Sequence, residues 1–264
     1  GEFNKSLTYD INLQGTINLA KISRAKSIKR FIYISSQSMY GISETVEELD
    51  EDTSEKNPIT TYAKAKWEAE KEINEMSNNN FTVVSFRPST VFGWSPRLRC
   101  DIVFNNLVAS AYTEKKIVVF SDGSPWRPVI HIRDVCSAIY AGIVAPSNLV
   151  NNKSYNIGIR DGNYTVKEMA EVVKEIYPKT EVIFKNKTPD ARTYKVSFKR
   201  ILSELSDYYK PEWDLKSGAK ELIENFDKFK FAKSDFQGTK TNRIQQLKYL
   251  QNQGYLTNEF RLIK

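Results

Sequence analysis

Tyr62 and Lys66 are the residues whose types and spacing best suit chemistry. They stand four positions apart, so on a helix the phenol and the ammonium would project from one face. A cation beside a phenol favours the phenolate and lowers the pKa of the tyrosine, which allows proton exchange near neutral pH. The pair alone is a weak signal, because a chain with 14 tyrosines and 39 lysines and arginines contains such pairs by chance.

A pair of hydroxyl groups precedes this helix. Ser35-Ser36 ends an apolar run, and Tyr40-Gly41 follows shortly afterwards. A serine at a strand end could orient a substrate alcohol or carbonyl against Tyr62. The order of the segments therefore indicates a site more strongly than the Tyr-x-x-x-Lys spacing does: an apolar strand, Ser-Ser, a polar loop, the tyrosine–lysine helix, and a second apolar strand.

Helices and apolar strands alternate around these residues. The spacing of apolar residues predicts helices over 7–26 and 60–76 and strands over 30–35 and 81–87. Such alternation favours an α/β fold with a parallel sheet and helices on its faces. Further along, we expect helices near 101–112, 134–145, 165–177, 215–229 and 242–253, and strands near 116–120 and 155–158. Thr165 and Glu168 have capping-box spacing, Asp134 fits a helix N-cap, and Gly254 fits a helix C-cap.

Composition limits the function classes. The 264 residues are 40% hydrophobic, which is enough for one large or two modest domains, and no apolar run approaches a membrane-spanning length. The formal charge of +7 is spread through amphipathic helices and forms no nucleic-acid motif. Cys100 and Cys136 lack metal-ligand spacing and fit buried thiols, and His131 is the single histidine, so we expect no metal site. We expect a cytoplasmic protein that binds neither nucleic acid nor membrane.

Several motifs in order carry a family resemblance. They are Phe31-Ile-Tyr-Ile-Ser-Ser-Gln-Ser-Met-Tyr-Gly41, Tyr62-Ala-Lys-Ala-Lys66, Phe86-Arg-Pro-Ser-Thr-Val-Phe-Gly93, Gly123-Ser-Pro-Trp-Arg-Pro-Val-Ile-His-Ile-Arg-Asp-Val135 and Asp190-Ala-Arg-Thr-Tyr-Lys-Val196. Together they resemble the extended short-chain dehydrogenase/reductases, in the nucleotide-sugar epimerase/dehydratase branch. The resemblance implies a Rossmann-like doubly wound parallel sheet with a smaller α/β C-terminal substrate domain. It assigns 1–93 to the dinucleotide-binding domain and 94–264 mainly to the substrate domain, with about 119–145 partly returning to the first.

The same resemblance implies roles for individual residues. Ser36 would bond the reacting sugar oxygen, Tyr62 would be the acid/base, and Lys66 would lower the tyrosine pKa and bond the nicotinamide ribose. A strand stop at Ser36 and a solvated Tyr62 and Lys66 remain the alternatives. Asn12 would interrupt or brace its helix near the active site and contact the cofactor, with an ordinary polar position as the alternative. Pro88 would shape the nicotinamide pocket, with a strand stop as the alternative.

Four further residues are implied to bind the substrate. Arg127 and Arg192 would grip the nucleotide diphosphate, because a guanidinium offers a planar donor fork that stays charged. Asn105 or Asn106 would bond the same diphosphate or the base, and Arg97 and Arg99 are weaker candidates at the rim. Each arginine could instead be an ordinary solvated side chain.

One feature of the resembling family does not occur in the 264 residues. The Gly-x-x-Gly-x-x-Gly turn that holds the dinucleotide pyrophosphate at a helix N-terminus is nowhere in the sequence. We therefore expect the sheet to lack its first strands. We also expect this chain by itself not to bind a dinucleotide in the usual way.

The residues after Ser36 bear on the reaction. Relatives that eliminate water carry an Asp-Glu pair there, whereas this chain has Gln37 and Ser38, and 3,5-epimerases place a cysteine near Ser38. The leading hypothesis is therefore an NAD-dependent epimerase acting at C4 of a nucleotide-diphosphate sugar, with NADP possible as cofactor. The alternatives are an NADPH-dependent reductase of nucleotide 4-keto sugars, and a non-catalytic dinucleotide-sensing or scaffold protein of the same fold. The resemblance also allows a homodimer.

Overall fold

The computed structural model describes residues 1–42, 47–185 and 193–263. Arg192 and the acidic-loop residues 43–46 lie outside the described residues. The strands are β1 (Arg30–Ile34), β2 (Glu48–Leu49), β3 (Thr82–Pro88), β4 (Thr90–Phe92), β5 (Lys116–Val119), β6 (Trp126–His131), β7 (Lys153–Ile157), β8 (Asn163–Thr165), β9 (Glu181–Phe184) and β10 (Lys195–Val196). The α-helices are α1 (Lys5–Tyr9), α2 (Gly15–Ala25), α3 (Thr61–Glu75), α4 (Val103–Glu114), α5 (Ile132–Val144), α6 (Ser147–Val150), α7 (Val166–Ile176), α8 (Lys199–Glu204), α9 (Leu215–Lys228), α10 (Lys233–Phe236) and α11 (Arg243–Asn252).

The chain divides into two compact units, each built from separated stretches of sequence. Among the described residues, the first unit contains 1–42, 47–89, 134–162 and 193–212, and the second contains 90–133, 163–185 and 213–263. The predicted boundary after Gly93 and the predicted return of about 119–145 to the first domain stay predictions. The dinucleotide and substrate roles assigned to the two parts stay predictions.

A parallel sheet in the order β1-β3-β7 forms the centre of the first unit. The central strand β3 is buried from Thr82 to Arg87, as expected for a parallel strand that is covered on both faces. Helix α3 packs on this sheet through Ala69 and Ile73, which join a buried cluster with Tyr33 and Phe81. The register pairs Ile34 with Phe86, so β1 and β3 end side by side. Residues following these strands therefore meet at one edge of the sheet.

The second unit has its own sheets and core. The described strands form β4-β6-β8, with β4 and β6 parallel and β6 and β8 antiparallel, and a parallel pair β5-β9. Helices α4, α7 and α9 supply most of the core around Phe104, Leu222 and Phe226. The predicted capping box is present at the start of α7, where Thr165 and Glu168 bond each other's backbone.

The predicted α/β fold with a parallel sheet is confirmed, and four local predictions need correction or comment. The helix predicted over 7–26 is interrupted by a π-helical turn, Asp10–Gln14. Asp134 is not an N-cap, because α5 follows β6 directly and begins at Ile132. Cys100 is buried but Cys136 is exposed. Gly254 follows the C-cap Gln253 with φ 74°, which agrees with the predicted helix end.

Within the described ranges, no helix is both long enough and apolar enough to cross a membrane. In the same ranges, no cluster of three or more His, Cys, Asp or Glu side chains is arranged to hold a metal ion.

Candidate active site

The turn after β1 presents Ser36. The backbone of Ser35 continues the sheet by donating to the Phe86 carbonyl at 2.6 Å, and a 3₁₀ turn, Gln37–Tyr40, follows. Ser36 is the N-cap of this turn: its Oγ accepts hydrogen bonds from the backbone N–H of Ser38 at 3.2 Å and from the Ser38 hydroxyl at 2.8 Å. The half-buried Ser36 hydroxyl is thus held in place and keeps its own proton for donation.

Gly41 closes this turn because no other residue fits. Its φ is +71°, and a Cβ built there would lie 1.9 Å from the Asn57 carbonyl oxygen. The Tyr40-Gly41 motif therefore fixes the path of the chain directly behind Ser36.

Helix α3 carries Tyr62 and Lys66. The Thr60 side chain caps it by accepting from the Ala63 N–H at 3.2 Å. Tyr62 is 38% exposed in the first turn, whereas Lys66 is half-buried one turn later. Lys64, which lies between them in the sequence, is exposed.

The Lys66 ammonium lies at the carboxyl end of β1. Its Nζ donates to the Ile34 carbonyl at 2.6 Å and lies 4.5 Å from the centre of the Tyr33 ring. Burial lowers the pKa of Lys66, and the negative charge of Glu70, one turn further along α3, acts in the opposite direction. The Lys66 ammonium thus bonds Ile34, which is two positions before Ser36, although Lys66 and Ser36 are 30 positions apart in the sequence.

Asn12 lies in the π-helical turn. Its side-chain amide donates to the Thr8 carbonyl at 3.0 Å, and its own carbonyl accepts from the Thr16 hydroxyl at 2.9 Å. Side-chain bonds to helix carbonyls at this point accompany the local change in winding. The expected bracing of the helix by Asn12 has a visible basis here, while contact with a cofactor stays a prediction. Pro88, half-buried, is the last residue of β3.

A buried polar network that sequence reasoning missed lies beneath these residues. Arg87 and Glu70 form a salt bridge at 2.6 Å with side chains 3% and 0% exposed. The Arg87 guanidinium also donates to the Tyr40 hydroxyl at 3.0 Å and to the Glu51 carbonyl at 3.2 Å. Tyr62, Lys66 and Glu70 follow one another at intervals of four residues and so share one face of the helix. This spacing could have indicated from the sequence that Glu70 lies near Lys66.

Gln37 belongs to the same buried region. It is 1% exposed, and its side-chain amide donates to the carbonyls of Arg87 at 3.0 Å and Ile157 at 3.3 Å. This residue therefore ties the turn to the ends of β3 and β7. It does not present an acid or a base.

The asparagines predicted to bind substrate lie in the second unit. Asn105 is 2% exposed, and its amide accepts from the Gly93 N–H at 3.0 Å and donates to the Arg99 carbonyl at 2.9 Å. The half-buried Asn106 donates to the Cys100 carbonyl at 2.9 Å. Both amides thus brace the chain that precedes α4, and contact with a nucleotide stays a prediction for either residue.

Of the two arginines predicted to bind the diphosphate, the structure describes Arg127 and not Arg192. Arg127 lies on β6, is half-buried, and donates from Nη1 to the Trp126 carbonyl at 2.8 Å. The grouping of Arg127 with Arg192 stays a prediction. At the rim, Arg99 pairs with Asp101 at 2.9 Å, and Arg97 is exposed.

His131 is part of a second buried cluster. It is fully buried at the end of β6, 2.8 Å from a Glu221 carboxylate oxygen and stacked on Trp213 with ring centres 4.1 Å apart. Glu221 also accepts from the Trp94 N–H at 3.1 Å and pairs with Arg133 at 3.1 Å. His131 is therefore a buried residue whose ring has a hydrogen-bond partner. The role of Glu221 was not visible in the sequence.

The comparisons with known proteins identify the family. Residues 3–158, more than half of the chain, match the model of the NAD dependent epimerase/dehydratase family. The chain belongs to this family, which confirms the resemblance drawn from the motifs and the Rossmann-like fold.

The individual relatives have low sequence identity to this chain. UDP-glucuronic acid decarboxylase 1 of Arabidopsis thaliana is 26% identical over 85% of this chain and 51% of the relative. The uncharacterized UDP-glucose epimerase YtcB of Bacillus subtilis is 30% identical over 56% of this chain and 45% of the relative. The chain thus spans about half the length of these relatives. Among solved structures, UDP-glucose 4-epimerase of Thermotoga maritima with UDP-glucose has a TM-score of 0.73 at 23% identity, covering 85% of this chain and 72% of that one.

Proposed function

We propose that this chain supplies the catalytic residues for epimerisation at C4 of a nucleotide-diphosphate sugar with NAD, by transient oxidation at that carbon. The observation that carries the proposal is the Lys66 Nζ bonded at 2.6 Å to Ile34 at the end of β1, one turn from Tyr62 and next to the Ser36 turn. Membership of the NAD-dependent epimerase/dehydratase family supports it.

The hydrogen-bond donors of Lys66 fit the ribose of a dinucleotide. An ammonium has three N–H donors, and its bond to Ile34 uses one, so two are left for the hydroxyls of a ribose. Lys66, Tyr62 and Pro88 therefore fit the nicotinamide end of NAD, whereas no described residue is assigned to its pyrophosphate. The chemistry that NAD supplies when bound is acceptance of a hydride from C4 and its return to the opposite face.

The residues of the chain supply the proton transfer. Tyr62 takes the C4 hydroxyl proton as the carbonyl forms and gives it back as the new hydroxyl forms. The positive charge of Lys66 favours the phenolate that this transfer needs, and the nearby Glu70 carboxylate favours the charged form of Lys66 against burial. Ser36, whose Oγ is oriented by Ser38, donates its proton to the same sugar oxygen.

A second candidate is an NADPH-dependent reductase of nucleotide 4-keto sugars. Gln37 and Ser38 stand where relatives that eliminate water have an acidic pair. These two residues are compatible both with epimerisation at C4 and with reduction of a 4-keto sugar. RMD of Pseudomonas aeruginosa complexed with NADPH is one solved structure with this fold, at a TM-score of 0.69 and 20% identity, covering 83% of this chain and 73% of that one.

One experiment separates these functions. The protein is incubated with NAD and, in turn, UDP-glucose, UDP-galactose and UDP-glucuronic acid, and the sugar protons are followed by NMR. The C4 epimer should accumulate with no net reduction of NAD. Stoichiometric NADPH consumption on a 4-keto sugar would favour the reductase. Absence of both reactions in a protein that binds NAD or NADPH would favour the non-catalytic, dinucleotide-sensing alternative.

A further inference from the structure

The buried residue Arg87 contacts both elements that carry the candidate catalytic residues. It is 3% exposed, at the carboxyl end of β3. On one side its Nε and Nη2 donate to the Glu70 carboxylate of helix α3 at 3.0 and 2.6 Å. On the other its Nη1 donates to the hydroxyl of Tyr40, in the turn that begins after Ser36, at 3.0 Å.

The Arg87 backbone adds a second link to the same turn. Its carbonyl accepts from the Gln37 side chain at 3.0 Å, directly after Ser36. The turn is therefore attached to Arg87 at both ends, through Gln37 and Tyr40. Helix α3 is attached to it through Glu70, which lies two turns beyond Tyr62 and one turn beyond Lys66.

The two side chains that bond Arg87, Glu70 and Tyr40, have further polar contacts of their own. Glu70 also accepts from the Ser154 hydroxyl at 2.6 Å, and the Tyr40 hydroxyl lies 2.9 Å from the Asn156 side-chain oxygen. A guanidinium can serve two directions at once because its five N–H groups form a rigid planar fork. A lysine at this position would keep the charge but could not reproduce both sets of bonds.

We propose that Arg87 is a positioning residue for the reaction, which holds the Ser36 turn and the Tyr62–Lys66 helix in fixed register with each other. The inference rests on the proposed function for its catalytic consequence. Its structural content, the coupling of Tyr40 to Glu70 through Arg87, stands independently of any substrate. Glu70 contributes in addition by its charge, because it favours the charged form of Lys66.

The coupling is tested by a double-mutant cycle on thermal unfolding. Tyr40→Phe removes one hydrogen-bond partner of Arg87, and Glu70→Gln removes the negative charge of the other, while Tyr40 and Glu70 share Arg87 without bonding each other. We expect the midpoint shift of the double variant to differ clearly from the sum of the single shifts. The pair Tyr9→Phe and Glu70→Gln is the matched control and should be additive, because Tyr9 bonds Glu68. Additivity of the first pair would overturn the proposal.

The catalytic consequence needs a readout that a purely structural role would not move. In Arg87→Lys we expect kcat to fall at least tenfold, with KM for the nucleotide sugar changed less than threefold. In Glu70→Gln we expect the NMR titration of the ¹³C-labelled Lys66 side chain to move to lower pH. Arg24→Lys, an exposed arginine on α2, is the control for both measurements. A folded Arg87→Lys with unchanged kcat would overturn the role of Arg87, and an unmoved Lys66 titration would overturn the added effect of the Glu70 charge.

If Arg87→Lys does not fold, Glu70→Gln with Arg87→Met replaces it, because this pair removes both buried charges together. The same loss of kcat is expected, and unchanged kcat would count against the proposal. If the unaltered protein turns over no nucleotide sugar, the proposed function fails. The unfolding cycle and the Lys66 titration then still decide the positioning role.

Discussion

The Lys66 ammonium donates a hydrogen bond of 2.6 Å to the Ile34 carbonyl, which joins helix α3 to the last residue of β1. This contact fixes where the cation lies relative to the turn that carries Ser36. It also partly buries a charge, and burial lowers the pKa of Lys66 below its usual 10.5. Both consequences can be measured.

The proton-transfer role predicts the effect of Tyr62→Phe. The change removes the transferable proton and keeps the ring, so turnover of the nucleotide sugar should fall by roughly two to four orders of magnitude. The measurement is the rate of C4 epimer formation with NAD. Tyr140→Phe, an exposed tyrosine on α5, is the control and should be silent. Turnover by Tyr62→Phe within a few-fold of the unaltered protein would refute the assignment.

The lowered pKa of Lys66 predicts a pH dependence of stability. Between the folded pKa and the unfolded value of 10.5, the unfolded chain binds more protons than the folded chain at this site. The free energy of unfolding of the parent should therefore rise with pH in that window relative to Lys66→Met. Below the folded pKa the difference should be constant. Urea unfolding of both proteins up to about pH 10.5 measures it.

The matched control for this measurement is Lys64→Met, which alters an exposed lysine two positions away. Its difference from the parent should change little across the same range. A Lys66→Met difference with the opposite slope, or with none, would contradict the burial of a charged Lys66.

The Arg87–Glu70 pair predicts a large loss of stability for Glu70→Ala. The change leaves a buried guanidinium without its counter-charge, which costs about 3–5 kcal/mol. Denaturant unfolding gives the value. Glu72→Ala, on the exposed face of the same helix, should change stability by less than about 0.5 kcal/mol. Equal effects of the two substitutions would mean that the pair does not form.

The buried contacts of Glu221 predict a smaller loss of stability for Glu221→Ala, in the second unit. Glu221→Ala removes the partner of His131 and leaves the Trp94 N–H without its acceptor. Loss of a buried hydrogen-bond partner costs about 1–3 kcal/mol. The free energy of unfolding should fall by that amount, with Glu224→Ala on the same helix as the control. A neutral result would show that water replaces Glu221 without cost.

The diphosphate role of Arg127 predicts weaker nucleotide binding by Arg127→Ala. Loss of a charge-assisted hydrogen bond should reduce the binding free energy of a nucleoside diphosphate by roughly 1.5–3 kcal/mol. Calorimetric titration with UDP measures the change, and Arg24→Ala is the control for loss of a positive charge. Unchanged affinity in Arg127→Ala would remove this residue from the site.

The sequence predicted the fold and the helix that carries Tyr62 and Lys66 well, because their signals are local. The apolar strand before Ser36 and the four-residue spacing of Tyr62 and Lys66 are both short-range patterns, and the strands and helices were found at nearly the predicted positions. The resemblance implied that Asn12 interrupts or braces its helix, but the apolar spacing did not predict the π-helical winding there. It depends on which carbonyls the side chains of Asn12 and Thr16 bond, and apolar periodicity carries no such information.

The polar network was missed for a different reason. Arg87 and Glu70 are 17 positions apart and on different elements, and nothing in the sequence says which buried carboxylate an arginine will meet. Asn105 illustrates the same limit, since its bonds to the backbone of Gly93 and Arg99 could not be read from the sequence, while its contact with a nucleotide stays a prediction. Both depend on tertiary packing, which a single sequence does not specify.

The interleaving of the two units constrains any attempt to study them separately. Residues 90–133 of the second unit stand between two stretches of the first, and residues 134–162 of the first stand between two stretches of the second. No uninterrupted run of codons encodes either unit, so no simple truncation of the gene isolates one complete unit. Separate expression would require rejoining distant stretches with new linkers. A single proteolytic cut between residues 90 and 212 would leave two pieces that each contain parts of both units.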